Sequence, residues 1–271
     1  MKKMFLFSIV SVLLFSMIST SLAGELENDL IMSAMHGDLN NVRTLIKKGT
    51  NIEAKDKNGF TALMRAAFNG RTEVVKLLLD KGANIEARRD KVGDTPLMMA
   101  ASECKTDTVR LLIGRGATVN TKDSEGTPAI VWAAGCIDAV RFMLDKGADV
   151  DAITNMNKTA LMSAALFDSS IDVVRLLLDR GANINAKDMY NMTALMAASR
   201  SGNADTVKLL LNKGADITVR DSWNKTALGQ CKGMKADEIK TSGDFNIPVN
   251  TKMIERYDKV INILTEAGGK E

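Results

Sequence analysis

Apolar residues recur along most of the chain in two neighbouring clusters that are followed by a polar interval. The second cluster has helical spacing and ends at a glycine, as in the stretch VVKLLLDKG that ends at Gly82. Apolar residues at intervals of three and four predict an amphipathic helix, and glycine after its last turn marks the end. The equivalent glycines are Gly49, Gly82, Gly116, Gly147, Gly181 and Gly214. Their period of about 33 residues predicts a repeat architecture.

A second landmark opens the first apolar cluster of each repeat. It reads TALM, TPLM, PAIV, TALM, TALM and TALG, and begins at Thr61, Thr95, Pro128, Thr159, Thr193 and Thr226. Threonine at this place predicts a helix N-cap, because its hydroxyl can accept a hydrogen bond from an N–H group of the first turn. Paired alanines such as Ala66-Ala67 predict close helix packing. One repeat cannot bury enough apolar surface to fold alone, so the units must stack.

These motifs resemble the ankyrin repeat family. Besides the Thr-Ala/Pro-Leu motif and the paired alanines, the chain contains GADVDA from Gly147 and GANINA from Gly181. The resemblance spans Glu25–Gly268 and implies an all-α repeat solenoid of about seven helix-turn-helix units joined by β-hairpin-like loops. It assigns residues 24–271 to one solenoid. It also implies protein binding through the hairpin tips and the exposed side of the first helices.

Two departures from the family pattern change the expectations. Methionine or valine replaces the histidine that usually follows the Thr-Pro-Leu motif, as at Met64 and Val131, which favours flexible apolar packing. The last unit also carries an insertion at about 232–253. This insertion contains Gly233, Gly243 and Pro248, and we predict a loop between the last two helices. The loop is either a tolerated insertion at the end of the array or a functional segment.

The first 23 residues have the pattern of a secretory signal peptide. Lys2 and Lys3 precede the mainly apolar run Met4–Ile18, and Ser21-Leu22-Ala23 offers a cleavage site after Ala23. The alternative is an uncleaved anchor, although the run is short for a span of about 20 residues. Glu25 stands where a lipoprotein would have its lipidated cysteine. We therefore expect a periplasmic or secreted protein, without membrane insertion after cleavage, and the Lys-Lys start favours a bacterial source.

Charge and residue chemistry exclude several functions. The net charge of +3 falls to +1 when Lys2 and Lys3 are removed, which gives no electrostatic basis for nucleic acid binding. The single histidine, His36, cannot build a metal cluster, and no glycine-rich phosphate loop is present. The regularly spaced aspartates Asp56, Asp90, Asp123, Asp188 and Asp221 are interpreted as turn residues rather than catalytic acids. We expect no enzyme activity and no cofactor or metal.

The three cysteines lie far apart in the sequence. Cys231 occupies an alanine position and is expected to be buried. Cys104 and Cys136 lie at nearly equivalent places in adjacent units, where stacked helices are roughly 8–10 Å apart. A disulfide needs Cα atoms within about 7 Å, but a two-residue deletion beside Cys136 could shorten that distance. A Cys104–Cys136 bridge therefore remains a possibility.

Aromatic residues make up only 4% of the chain, yet both tryptophans and one of the two tyrosines fall on exposed repeat positions. Trp223, Tyr190 and Met156 occupy successive hairpin tips, three residues before the helix cap. Trp132 and Arg65 lie four residues after it. The candidate partner-binding residues are Arg65, Phe68, Met99, Trp132, Met156, Tyr190, Met192 and Trp223. The alternative is that these side chains fold over neighbouring hairpins, or between helices in the case of Trp132.

The sequence thus predicts a non-catalytic protein–protein interaction scaffold, exported to the periplasm or cell exterior and monomeric. Its expected partner is a protein, bound through hairpin tips and the concave face. An alternative function is that of a secreted effector or enzyme-like protein that acts through residues 232–253.

Overall fold

The structure is a computed structural model that describes residues 24–244 and 250–271. The predicted signal peptide, residues 1–23, lies outside the described residues. The chain divides into two compact units, which meet in sequence at Ala117 and Thr118. Each unit is built from consecutive helix pairs, as the repeat pattern predicted, and the fold is an all-α repeat solenoid.

The first unit contains three helix pairs. Residues 24–36 form α1. The other helices are α2 (Leu39–Lys47), α3 (Ala62–Phe68), α4 (Thr72–Asp80), α5 (Pro96–Ser102) and α6 (Thr106–Gly114). Helix α3 packs against α4 of its own repeat and against α5 of the next, so each helix pair is covered by its neighbour.

The second unit contains the remaining repeats. Its helices are α7 (Ala129–Trp132), α8 (Ile137–Asp145), α9 (Ala160–Ala165), α10 (Ile171–Asp179), α11 (Ala194–Arg200), α12 (Ala204–Asn212), α13 (Ala227–Asp244) and α14 (Thr251–Glu266), with a 3₁₀ turn at Asp168–Ser170. Helix α11 contacts α9, α12 and α13. Among the described residues, none of the helices combines the length and hydropathy of a membrane span.

The local signals for helix starts and close packing are confirmed. The Thr61 hydroxyl accepts a hydrogen bond from the Met64 N–H at 3.3 Å, and Thr159 accepts one from Met162 at 3.2 Å. The four alanine pairs at 66–67, 100–101, 133–134 and 164–165 are all buried. Gly82 has a φ of +86°, the left-handed conformation that ends a helix and that a Cβ would disfavour.

Each hairpin of the second unit folds around one side-chain oxygen. The Oδ1 atom of Asp188 accepts hydrogen bonds from the N–H groups of Tyr190 and Met192, at 2.8 and 2.9 Å. Asp123 and Asp221 make the same pair of bonds in their own hairpins. The turn role predicted for these aspartates is therefore confirmed. Neighbouring hairpins are also joined through the backbone, because Ser222 N–H donates to the Tyr190 carbonyl at 2.9 Å.

The loop predicted at about 232–253 is wrong for the residues that the structure describes. Helix α13 continues to Asp244, and α14 begins at Thr251. Gly233 and Gly243 suggested a break, but the intervening stretch MKADEIK is rich in good helix formers, and an isolated glycine is tolerated in a helix. The extra residues therefore lengthen the last helix pair, while residues 245–249 lie outside the described part.

The last helix pair has an apolar core of its own. Tyr257, Val260 and Leu264 of α14 are buried, and Cys231 of α13 is fully buried, as expected from its alanine position. Burial, with a smaller contribution from the charge of Asp258, raises the pKa of the Cys231 thiol to about 12. The thiol therefore stays protonated and unreactive at neutral pH.

Candidate protein-binding surface

Exposed apolar side chains are concentrated in the second unit. Of the large apolar residues that the structure describes as exposed, only Met32 belongs to the first unit. Those on or beside the hairpins of the second unit are Trp132, Met156, Leu166, Phe167, Met189, Tyr190 and Trp223. Concentrated apolar exposure of this kind marks an interaction surface more often than single exposed residues do.

The hairpin tips carry an exposed aromatic pair. Trp223 is 59% exposed and Tyr190 is 37% exposed. Their rings stack with centroids 5.4 Å apart, which is closer than the spacing of about 10 Å expected for stacked repeats. Met156 is exposed at the preceding tip, and its carbonyl accepts a hydrogen bond from Met189 N–H at 2.9 Å. The two rings partly cover each other but leave a wide apolar surface.

A pocket of about 220 Å³ adjoins the aromatic pair. Its apolar lining includes Met162, Leu166 and Met192, and its polar lining includes Asp188, Lys158 and Arg200. We call it the Asp188 pocket. The side chain of Asp188 is held by the two backbone N–H groups of its own hairpin, so the carboxylate has a fixed position in the pocket wall.

Two further depressions continue the same surface. One, of about 710 Å³, includes Trp132, Met156 and Phe167 in its lining and shares Lys158, Ser163 and Leu166 with the Asp188 pocket. The other, of about 320 Å³, shares Arg200 and Trp223 with it and extends to Met234. We call the three depressions together the hairpin groove. It offers one apolar surface with a polar border.

The position four residues after the helix cap has a structural role that the sequence did not reveal. Arg65 donates from Nε to the Oδ2 atom of Asp56 at 3.0 Å, and its guanidinium lies 3.8 Å from the centre of the Phe60 ring. Burial raises the pKa of Asp56, but hydrogen bonds from Arg65 and from the backbone of Phe60 and Asn58 outweigh it, so the net shift is downward. Arg65 therefore clamps the hairpin of its own repeat to helix α3.

Two other repeats use a different donor at that position. Trp132 donates from its indole Nε1 to the Oδ2 atom of Asp123 at 3.1 Å. Gln230 donates from Nε2 to Asp221. Trp132 thus fixes its own hairpin and still leaves 39% of its side chain exposed. The equivalent residue beside Asp188 is Ala197, which has no donor to offer.

The predicted binding residues divide into two groups. Trp132, Met156, Tyr190, Met192 and Trp223 line the hairpin groove, although Met192 is only 8% exposed. The others, Arg65, Phe68 and Met99, belong to the first unit.

The three residues of the first unit have internal roles. Met99 is 4% exposed and therefore packs in the core, where a partner cannot reach it. Arg65 is engaged by Asp56, and Phe68 is half-buried. We omit these three residues from the candidate surface, because burial and intramolecular bonds account for them.

Sequence reasoning missed several residues of the groove. The sequence indicates only a turn role for Asp188. The one signal that its second carboxylate oxygen has no donor is the alanine at position 197, nine residues later. Phe167 is 56% exposed and Arg200 borders two of the depressions. Phe167 lies just after the short helix α9, in a turn that the repeat pattern does not specify.

The cysteines fall into two classes. Cys104 and Cys136 are both disulfide-bonded, whereas Cys231 is a free, buried thiol. Among the described residues there is no group of three or more His, Cys, Asp or Glu side chains that could hold a metal ion.

The helix pairs, capped hairpins and paired alanines define a repeat solenoid. The chain belongs to the ankyrin repeat family, whose model of three ankyrin repeats matches residues 8–89, 30–123, 86–154 and 152–221. A comparison with curated proteins gave no significant match. Ankyrin repeats indicate a protein–protein interaction scaffold.

Solved structures with the same fold include the human ASB11 ankyrin repeat domain, with 24% identity, a TM-score of 0.72, and coverage of 89% of this chain and 98% of that chain. The ankyrin repeat domain of Bcl-3, a member of the IκB family, has 27% identity and a TM-score of 0.63, covering 74% and 92%. A chain in the complex of a predatory endopeptidase from Bdellovibrio bacteriovorus with an immunity protein has 30% identity and a TM-score of 0.62, covering 68% and 97%.

Proposed function

We propose that the protein is an exported, non-catalytic scaffold that binds a protein partner through the hairpin groove of its second unit. The observation that carries the proposal is the adjoining set of three depressions, bordered by the exposed residues Trp132, Met156, Phe167, Tyr190 and Trp223. The partner would cover this apolar surface, and the protein would remain a monomer without it.

The size of the aromatic side chains supports this role. A buried aromatic side chain contributes roughly 150–250 Å² to an interface, and a stable interface needs about 800 Å² from each partner. Trp132, Tyr190, Trp223 and Phe167 are partly covered already, so they would supply the centre of such a contact and neighbouring polar residues its border. Tryptophan and tyrosine are also the residues that most often dominate binding energies.

Affinity capture from the native compartment tests the proposal. We compare the wild type with a variant that combines Met156→Ala, Tyr190→Ala and Trp223→Ala. The matched control combines Asn58→Ala and Val92→Ala, which occupy the same hairpin-tip position in the first unit. We expect the groove variant to lose the captured protein and the control to retain it, with helix content by circular dichroism unchanged in both. Equal capture by the groove variant contradicts the proposal.

The oxidised cysteines support export. Disulfides persist in the periplasm and outside cells but are rare in the cytosol, and both Cys104 and Cys136 are disulfide-bonded. We propose that the signal peptide directs the chain to such a compartment. Thiol alkylation of the denatured protein isolated from its cells should label Cys231 alone before reduction and all three cysteines after it. Labelling of all three before reduction contradicts the bridge and removes this support for export.

The alternative role for residues 232–253 leads to a different expectation. If an effector or enzyme-like activity resided there, the exposed side of α13 would carry it. We therefore replace the exposed residues Ile239 and Lys240, which do not line the groove, together by alanine. Unchanged partner capture by this variant eliminates the alternative, whereas loss of capture with an intact groove supports it.

A second candidate function is the binding of a peptidase. The specific observation is the 30% identity to a chain in a complex of an endopeptidase with an immunity protein, which this chain matches over 97% of that chain's length. In this case the captured partner has peptidase activity, and added protein lowers that activity while the groove variant does not. A captured partner without peptidase activity contradicts this candidate alone.

A further inference from the structure

We infer that the Asp188 pocket receives the indole of a tryptophan side chain from the protein partner, with the indole N–H donated to Asp188. The inference rests on the proposed function and specifies what its partner must present. It follows from a comparison of Asp188 with the equivalent aspartates of other repeats in the same chain.

In three repeats the hairpin aspartate has a donor from the following helix. Each aspartate uses Oδ1 to accept two backbone N–H groups of its hairpin and Oδ2 to accept one side-chain N–H. The pairs are Asp56 with Arg65, Asp123 with Trp132, and Asp221 with Gln230. In these three repeats the donor comes from the residue nine positions after the aspartate, whereas Asp90, followed at that distance by Met99, accepts from Lys55 instead.

The fourth hairpin has the same backbone bonds and lacks the donor. Asp188 is 7% exposed, and its Oδ1 atom accepts both backbone N–H groups. Its Oδ2 atom accepts no hydrogen bond from any described residue, because the residue nine positions later is Ala197. The space that a longer side chain would fill is part of the pocket of about 220 Å³. The residue is largely buried, and its Oδ2 atom is reached by solvent through this pocket, so a ligand that brings a donor can take the place of water there.

The pocket wall favours an aromatic ligand. Met162, Leu166 and Met192 provide apolar contacts, and the stacked rings of Tyr190 and Trp223 border the same space. A space of about 220 Å³ gives room for an aromatic side chain. Sulfur–aromatic contacts with the two methionines would add to the apolar burial.

The charges of the pocket distinguish between possible donors. Lys158 and Arg200 line the pocket along with Asp188, and neither forms an ion pair with it. With two cations and one carboxylate, the pocket would repel an arginine or lysine from the partner. A neutral ring avoids that repulsion, and either cation can lie over its face.

The chain contains its own example of the proposed contact. Trp132 donates to Asp123, which is 7% exposed, the same value as Asp188. An indole N–H is therefore a sufficient third donor for a carboxylate that is buried to this degree. Tryptophan also combines a large apolar surface with one N–H donor, which matches a pocket with apolar walls and one unbonded acceptor.

The test uses N-acetyl-tryptophanamide as the probe and follows the NMR signals of Tyr190, Met192 and Trp223 in the purified protein. We expect saturable shifts at these residues. The 1-methylindole analogue, which keeps the ring but lacks the N–H donor, should bind at least about tenfold more weakly, the factor expected for a hydrogen bond to a charged group. Equal binding of the two probes, or tighter binding of N-acetyl-argininamide, overturns the inference.

Two variants locate the contact. Asp188→Asn should weaken binding of the tryptophan probe about tenfold, whereas the matched control Asp56→Asn, which makes the same turn in the first unit, should not. Ala197→Gln should also block the probe by supplying a donor from within, as Gln230 does for Asp221. Because this second variant preserves Asp188, it remains informative if Asp188→Asn does not fold. Full binding by Ala197→Gln overturns the inference.

The outcomes separate this inference from the proposed function. Probe binding that fails while the Met156, Tyr190 and Trp223 substitutions still abolish partner capture contradicts the indole contact alone. Partner capture that survives those three substitutions contradicts the proposed function, whatever the probe does.

Discussion

The hairpins of Asp123 and Asp188 have the same backbone and opposite surroundings. Both aspartates are 7% exposed and accept two N–H groups from their own turn. In the Asp123 hairpin, the indole Nε1–H of Trp132 donates a hydrogen bond to the second carboxylate oxygen, Oδ2, at 3.1 Å. In the Asp188 hairpin, Ala197 leaves a pocket beside the carboxylate. One position in the repeat therefore decides whether the chain fills this place itself or leaves it open to another molecule.

The comparison also separates the two tryptophans. Trp132 is 39% exposed but holds its hairpin through the indole N–H. Trp223 is 59% exposed and makes a ring contact with Tyr190, with no hydrogen bond from its indole among the described residues. Exposure alone would place them in one class. Their hydrogen bonds show that Trp132 fixes its own hairpin while it lines the groove, whereas the indole N–H of Trp223 has no such role among the described residues.

The largest effect is expected from removing the two aspartates. Asp123→Ala leaves two backbone N–H groups and the Trp132 indole without their acceptor, while Asp188→Ala leaves only the two backbone groups. At about 1–3 kcal/mol for an unsatisfied buried group, relieved in part by water, we expect losses of about 3 and 2 kcal/mol in unfolding free energy. Urea unfolding followed by circular dichroism measures both. Equal losses would mean that the Trp132 bond contributes nothing.

Much of the repeat could be predicted from the sequence because it depends on local chemistry. Threonine caps such as Thr61, the helix-ending Gly82 and the turn role of Asp188 are each determined by a few neighbouring residues, and the period of the repeat places them. The helical residues of 232–244 were mistaken for a loop because Gly233 and Gly243 were given more weight than the helix formers between them.

The pocket could not be predicted in the same way. The pocket exists because Ala197 has no side chain long enough to reach Asp188. That a donor is expected at this position becomes clear only from the structure, in which Arg65, Trp132 and Gln230 each donate to the Oδ2 atom of their own hairpin aspartate. The stacking of Tyr190 on Trp223 likewise depends on ring orientation, which residue spacing does not determine. Met99 shows the converse error, since its repeat position suggested exposure and the structure buries it.

A reciprocal exchange tests whether position 197 controls the pocket. Gln230→Ala should destabilise the protein by about 2 kcal/mol, because the buried Asp221 loses its side-chain donor. Ala197→Gln should stabilise it by about 1 kcal/mol, because Asp188 gains one. Thermal unfolding measures both changes. A destabilised Ala197→Gln protein would show that the pocket cannot accept the side chain and would break the equivalence of the two hairpins.

Conservative substitution of the two tryptophans separates their roles further. Trp132→Phe keeps an aromatic ring but leaves Asp123 without its third donor, so we expect a loss of about 1.5 kcal/mol in unfolding free energy. Trp223→Phe removes no hydrogen bond and should change stability by less than about 0.5 kcal/mol. Chemical unfolding of both proteins gives the comparison, and a larger loss for Trp223→Phe would reverse the roles assigned to the two side chains.

A smaller loss than at Asp123 is expected at the Asp56 hairpin of the first unit, where the donor is charged. Burial alone would raise the pKa of Asp56, but the Arg65 and backbone hydrogen bonds lower it below its ordinary value. A lowered pKa stabilises the folded state above the unfolded pKa of about 3.9, and this stabilisation is lost as pH falls through the folded pKa. Arg65→Met should therefore raise the Asp56 pKa, and it should reduce stability by up to about 1 kcal/mol at neutral pH.

Carboxyl NMR titration measures the Asp56 pKa directly, with Lys76→Met on the exposed side of α4 as the control for loss of one positive charge. The stability difference between Arg65→Met and wild type should shrink below about pH 4, and a difference independent of pH would show that Arg65 acts through its contact with Phe60 rather than through the carboxylate.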